Sequence, residues 1–328
     1  MKFLDLSFTD DSKFLYLGKV PKTEDNYLIL DWVDAGVSFN FKGKGIIFFF
    51  SDYCDDTETY ITVFVDGKRE RHSIYSKSDK VVIDLDEDTT HTIELIRVTE
   101  GFKPLILKGF TIKGDNPALL SPRKKKDLEL FFIGDSITVG FGVTGDPKHS
   151  VFYNYEEDST MSYSYFTKEL LDAEISVSGH SGHGVVQAYG GVRTRTTMKE
   201  MFLLSSDNST ETYDYKGFEP SIVIINAGTN DISAPIDKEE FYNGCIDLLK
   251  TIRTTFKNTP IIWLYGVCTS ELSEEIKKAI DDFKDNAYFL LVDKAIGDEI
   301  GSVNHPGINA SIRVSKILSN EIKKILKL

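Results

Sequence analysis

The chain has 328 residues, 41% hydrophobic and 27% charged, with 38 Lys+Arg against 51 Asp+Glu. This composition fits one large or two ordinary folded domains and excludes an intrinsically disordered chain. A formal net charge of −13 argues against a nucleic-acid groove or an anionic-membrane surface, since both need clustered positive charge. No nucleic-acid or membrane partner is expected.

The N-terminal Met1-Lys2-Phe3-Leu4-Asp5-Leu6 turns acidic before an apolar leader core forms. The setting implied is cytoplasmic, or secreted if a leader has been trimmed. Residues up to about 115 read as strands. Val37-Ser38-Phe39-Asn40-Phe41 alternates apolar and polar, as a half-buried sheet face requires. Thr59 to Val65 is followed by Asp66-Gly67, a hairpin signal, and short strands continue through Val81–Leu85, His91–Ile96 and Leu105–Leu107. No stretch there has a helical period, which predicts an all-β sandwich or jelly roll over 1–118.

Pro117 to Asp127 lacks periodicity and carries the one basic run, Arg123-Lys124-Lys125-Lys126, read as a solvated linker. Over 119–328 the pattern becomes strand, helix, strand. Leu128–Ile133, Glu174–Val177, Ile222–Ile225, Ile261–Tyr265 and Tyr288–Val292 are near-continuous apolar runs, as strands covered on both faces require. Helical patterns lie between them, and Ile308–Leu328 closes the chain as a helix. The expectation is a three-layer α/β domain on a five-stranded parallel sheet. Cys54, Cys245 and Cys268 are too few and too scattered for a disulfide framework or a metal site.

In such a sheet, ligands bind beyond the carboxyl ends of the strands. Four of those ends carry polar or glycine-rich turns: Gly134-Asp135-Ser136-Ile137-Thr138, Ser178-Gly179-His180-Ser181-Gly182-His183-Gly184, Asn226-Ala227-Gly228-Thr229-Asn230-Asp231 and Val303-Asn304-His305-Pro306. Together they supply an acyl-transfer site. Ser136 is the candidate nucleophile and His305 the base that takes its proton. The backbone N–H groups of Ser136 and Gly182 and the side-chain amide of Asn230 are the candidate oxyanion donors. Asp135 is expected to hold the turn through backbone bonds.

These blocks, in this order, resemble those of the GDSL, or SGNH, hydrolase superfamily. They differ from the G-x-S-x-G elbow because position 138 is Thr. A sandwich ahead of the hydrolase domain is similar to carbohydrate esterase family 2. The run Phe131 to Gly142 and the stretch from Glu156-Glu157-Asp158 to Ser164-Tyr165 carry that likeness. The resemblance implies a serine esterase that removes O-acetyl groups from plant oligosaccharides derived from xylan or mannan, without metal or cofactor. Acetylated oligosaccharide is then the expected partner. Alternatives are a lipase or thioesterase acting on other acyl esters, and a non-catalytic carbohydrate-binding protein.

One departure stands out. Most of the superfamily carries Asp three residues before the histidine, where this chain has Ser302. A Ser136–His305 dyad is therefore expected, with His305 Nδ1–H held by a backbone carbonyl at 302 or 303. Asp293, Asp298 and Glu299 are the candidate replacement acids. His183, Tyr189 and Trp263 are possible substrate contacts, His72, His91 and His149 are expected to face solvent, and Arg193 and Arg195 read as surface charges.

Overall fold

The computed structural model describes residues 1–51, 58–75, 80–101, 103–207 and 209–328; Cys54 lies outside them. Two compact units emerge, Met1–Lys125 with Ser205–Thr210, and Lys126–Leu204 with Glu211–Leu328.

The first unit is antiparallel β. Its strands are β1 (Lys2–Leu6), β2 (Leu15–Leu17), β3 (Leu28–Leu30), β4 (Gly36–Phe50), β5 (Thr59–Val65), β6 (Lys68–Ile74), β7 (Lys80–Arg97), β8 (Leu105–Gly114) and β9 (Ala118–Leu120). The main path runs β1-β8-β4-β7-β5-β6, with β2 and β9 pairing with β4 and β3 with β8. Since β9 pairs with β4, the first sheet continues past residue 118. The long strand β4 shifts register between Gly43 and Gly45, which lets one strand serve two parts of the sheet. Val37, Phe39 and Phe41 are buried in a core with Phe8, Phe14, Phe48 and Phe110, as their alternation predicts, but Ser38 on the other face is fully buried too, so this stretch is not half-exposed. Phe39 stacks on Phe110 with ring centroids 4.5 Å apart. Trp32 Nε1 donates to Ser205 O at 3.0 Å, and the Ser206 hydroxyl bonds the Asp31 carboxylate, which ties Ser205–Thr210 into this unit.

The second unit is a five-stranded parallel sheet flanked by helices. In chain order it holds β10 (Glu129–Gly134), α1 (Ser136–Val139), α2 (Tyr163–Leu171), β11 (Glu174–Gly179), α3 (Met198–Met201), β12 (Ile222–Asn226), α4 (Lys238–Thr255), β13 (Ile261–Tyr265), α5 (Ser273–Phe283), β14 (Ala287–Leu291) and α6 (Ile308–Leu326). Strand order is β11-β10-β12-β13-β14, so the order reverses at β10. Every residue of β12 and β13 is buried, which accounts for their unbroken apolar runs. Helix α6 buries Ala310, Val314, Leu318 and Ile322, four residues apart each, and packs on α2. Register places Gly134 beside both Gly179 and Asn226. Three of the glycine-rich turns therefore leave the sheet at one level and along one edge. No helix of the described residues is long and apolar enough to cross a membrane.

Candidate active site

Ser136 is the first residue of α1, directly beyond the central strand β10. Asp135 caps the helix: its Oδ1 accepts from Ile137 N at 3.0 Å, and its carboxylate is fully buried. The cap forces a sharp strand-to-helix turn. Ser136 is 7% exposed, and its backbone N–H lies in the first turn, where no intrahelical acceptor exists.

His305 Nε2 lies 2.9 Å from Ser136 Oγ, and His305 Nδ1 lies 3.0 Å from Val303 O. A carbonyl only accepts, so Nδ1 carries the hydrogen and Nε2 is the lone-pair nitrogen facing the serine hydroxyl. The carbonyl is thus that of Val303. Asp298 and Glu299 are occupied elsewhere. Asp298 accepts from Asn309 Nδ2 at 3.0 Å, and Glu299 clasps Arg313 at 2.6 and 2.9 Å. Asp293 is exposed at the surface.

The loop that aims the Val303 carbonyl is held from below. Val303 has φ 52° and ψ 34°, and Asn304 has φ 57°. A β-branched residue in the left-handed region costs roughly 1–2 kcal/mol, so surrounding bonds must enforce it. They do: Val303 N donates to His149 O at 2.8 Å, Ser302 N to Gly142 O at 3.0 Å, and Gly301 N to His305 O at 2.7 Å. Gly142 has φ +67°, and a Cβ there would come within 2.8 Å of Ser302 O. His149 does not simply face solvent: its Nδ1 pairs with the buried Glu156 carboxylate. Phe141 flanks the His305 ring at 4.6 Å between centroids and stacks on Phe152 at 3.8 Å.

On the opposite side, the turn after β11 is held by Asp231. Its Oδ2 accepts from Val185 N at 2.9 Å, and its Oδ1 from Val186 N at 2.9 Å and Gln187 N at 3.1 Å. Burial holds this carboxyl above the usual range, while the three N–H groups pull the other way. Asp231 sits inside the third block, yet sequence reasoning assigned it no role. Its adjacency to Asn230 was the available signal. Earlier in the same turn Gly182 stands at φ +81°. Asn230 lies between the two halves, with Nδ2 donating to His183 O at 2.8 Å and to Asp135 Oδ2 at 3.2 Å. Both amide hydrogens are thus engaged, and the longer bond to Asp135 must yield before Asn230 can serve an oxyanion.

Ser136, His305, Gly182, Asn230 and Asp135 therefore converge at the carboxyl ends of the sheet. Ser302 does not reach the imidazole. It is fully buried, and its Oγ lies 2.3 Å from the point where Gly145 lacks a Cβ. Two expected substrate contacts are corrected. Trp263 is 0% exposed and donates to Ala227 O at 3.1 Å, because it stands on a strand covered on both faces. His183 is 2% exposed, and its Nδ1 bonds Thr196 O at 2.8 Å. A ring nitrogen facing a carbonyl must be the donor, so Nδ1 carries the hydrogen. Burial first, then Arg195 and His180, push the His183 pKa down to about 3. Tyr189 is 70% exposed, and its N–H donates to Gly182 O at 2.8 Å. In the first unit His91 is buried and pairs with Asp66, another departure from the solvent-facing expectation. Cys245 and Cys268 are free thiols with pKa values raised by burial, Cys268 to about 12, so neither is a ready nucleophile.

A GDSL-like lipase/acylhydrolase family model matches residues 132–290, and a carbohydrate esterase 2 N-terminal model matches residues 16–122. The chain is 26% identical, over 97% of its length, to a cellulase/esterase (CelE) of Acetivibrio thermocellus, and 27% identical over 61% of its length to an acetylxylan esterase/glucomannan deacetylase of Cellvibrio japonicus. It spans only 40% and 55% of those two relatives. Among solved structures, an acetyl xylan esterase of Butyrivibrio proteoclasticus superposes with TM-score 0.89 at 20% identity, each chain covered in full. A family two carbohydrate esterase of Clostridium thermocellum, in complex with cellohexaose, superposes with TM-score 0.88 at 24% identity, covering 96% of this chain and 99% of that one. The second unit thus matches the GDSL-like lipase/acylhydrolase family over residues 132–290, and the first matches the N-terminal module of carbohydrate esterase 2 over residues 16–122.

Proposed function

We propose that the protein is a carbohydrate O-acetyl esterase that acts through a Ser136–His305 dyad. The observation that carries this reading is the 2.9 Å contact between Ser136 Oγ and an imidazole nitrogen whose lone pair is fixed by the Val303 carbonyl. The Ser136 hydroxyl gives its proton to His305 Nε2 as Oγ attacks the acetyl carbonyl. The carbonyl π electrons move onto oxygen, which faces the Ser136 and Gly182 N–H groups. The intermediate collapses, the C–O bond to the sugar breaks, and the sugar oxygen takes the proton from His305. Water then gives its proton to the same nitrogen and attacks the acetyl-enzyme, releasing acetate and restoring Ser136. Val303 O orients the imidazole but carries no full charge, so it stabilises the imidazolium less than an aspartate does and turnover is modest.

The relatives' names point to xylan and glucomannan backbones, which makes acetylated xylo- and manno-oligosaccharides the substrates to try first. The experiment is acetate release from these and from an aryl acetate, with Ser136→Ala as control. Release by the wild type and its loss in Ser136→Ala support the reading. No release, or equal release from both, ends it.

A second reading, an esterase for longer acyl groups, draws on a cavity of about 350 Å³ beside the His305 loop, lined by Val267, Cys268, Ala295, Ile300 and Pro306 with Lys294 and Asn304. Comparing acetyl with octanoyl aryl esters separates the two. Preference for octanoyl favours the second.

A further inference from the structure

Gly182 leaves room for something other than hydrogen. The point where its Cβ would stand is 2.9 Å from Arg195 Nη1 and 3.8 Å from Tyr189 Cβ. A cation therefore lies directly against the residue that the proposed mechanism uses as a backbone oxyanion donor. Arg195 is held there, since its Nη2 donates to His180 Nδ1 at 2.7 Å. The guanidinium has donors only, so at this shorter contact His180 Nδ1 accepts, and the 3.2 Å approach of the same nitrogen to the Ser181 carbonyl is then no hydrogen bond. The buried His183 beside it is neutral at working pH, since its pKa is about 3. Arg195 is thus the positive charge of this group.

The donor inventory shows why that charge matters. Asn230 already spends its two amide hydrogens on His183 O and Asp135 Oδ2. That leaves, in the proposed mechanism, two backbone N–H groups for the oxygen that becomes negative. Asp135, with its fully buried carboxylate, adds an opposing negative field from the nucleophile side. We propose that Arg195, acting across Gly182, supplies the fixed positive charge that balances the oxyanion of the tetrahedral intermediate. It works as an electrostatic positioning residue, distinct from the N–H donors that touch the oxygen. Its held geometry means that no reorganisation is needed when the charge appears. The proposal rests on the esterase reading above.

The test compares wild type with Arg195→Gln, Arg195→Lys and Ser136→Ala on an aryl acetate, and measures the affinity of each active protein for phenylboronic acid, whose adduct with a serine oxygen is an anionic tetrahedron. A fixed unit charge one residue away is worth one to two orders of magnitude in rate, so Arg195→Gln should lose about 30-fold in kcat, about 2 kcal/mol at 1.36 kcal/mol per tenfold. KM should stay within about twofold, boronate affinity should fall by the same factor as kcat, and Arg195→Lys should keep most of both. A simple packing role would not couple kcat to boronate affinity, nor be restored by lysine. Arg195→Gln within threefold of wild type in kcat overturns the proposal, as does a rise in KM alone, or lysine no better than glutamine with boronate affinity unmoved. If wild type releases no more product than Ser136→Ala, the esterase reading itself falls. If wild type is active, Ser136→Ala inactive and Arg195→Gln unimpaired, only the role of Arg195 falls.

Discussion

Ser302→Asp restores the residue that most of the superfamily carries at this position, and a simple sequence argument expects it to complete a triad and raise kcat. The geometry predicts the opposite. Ser302 Oγ and the Glu156 carboxyl carbon lie 2.3 Å and 2.9 Å from the same point on Gly145, so by adding the two they stand no more than about 5 Å apart, away from the imidazole. An introduced carboxylate would face the buried Glu156. Two unit charges about 5 Å apart at an effective dielectric near 20 repel by about 3 kcal/mol, before any cost of burying the second charge. Ser302→Asp should therefore lose about 3 kcal/mol of stability at neutral pH, and Ser302→Asn, of the same shape but uncharged, about half as much or less. Urea unfolding followed by far-ultraviolet circular dichroism reads the helices of the second unit. In a Glu156→Gln background, the cost of Ser302→Asp should fall by about 2 kcal/mol, which a double-mutant cycle reports directly. Unchanged coupling, or a kcat for Ser302→Asp tenfold above wild type, would show that this side chain does reach His305 and would refute the reasoning.

Other perturbations have equally definite outcomes. Asp231→Asn turns an amide donor toward at least one of three backbone N–H groups, and should cost about 2–4 kcal/mol with at least a tenfold loss of kcat, measured by unfolding and by aryl-acetate turnover. His183 is neutral in the fold with a pKa of about 3, against about 6.5 in the unfolded chain. The unfolded state therefore binds the extra proton between those values, so this contribution to stability is present above pH 6.5 and is lost as pH falls toward 3. His183→Gln should flatten the acid limb of the stability curve over that window, and an unchanged limb would contradict the assignment. Tyr189→Ala should raise KM about 5- to 10-fold for acetylated oligosaccharides while leaving that for an aryl acetate nearly unchanged, if the exposed ring offers a face to sugar.

Much of the fold is written in local pattern. The central parallel strands and the four turns at strand ends follow from period and turn chemistry, because burial on two faces dictates residue type along a strand; the edge strand β14 departs from this, its apolar run exposing Tyr288 and Leu291, and so does Ser38, buried within the alternating strand Val37–Phe41. Trp263 should have followed the same rule: a residue inside a run that is covered on both faces is core, whatever its taste for sugars. The supports of the site were less legible, because they join residues with no shared period. Asp231 grips a turn more than 40 residues upstream, Arg195 reaches back to His180, and His149 answers Glu156 from within an irregular loop. The missing aspartate at 302 did point to a carbonyl for His305 Nδ1. That Val303 supplies it depends on a left-handed turn that nothing in a valine advertises.

The central claim is that Ser136 is the nucleophile and His305 its base. Treatment with an aryl phosphonate ester, followed by peptide mass mapping, tests it most directly. One phosphonyl group should appear on Ser136 in step with loss of acetate release, and His305→Ala should slow that labelling by at least about 100-fold. Complete inhibition with the label on another residue, or labelling of Ser136 that leaves activity intact, would contradict the account.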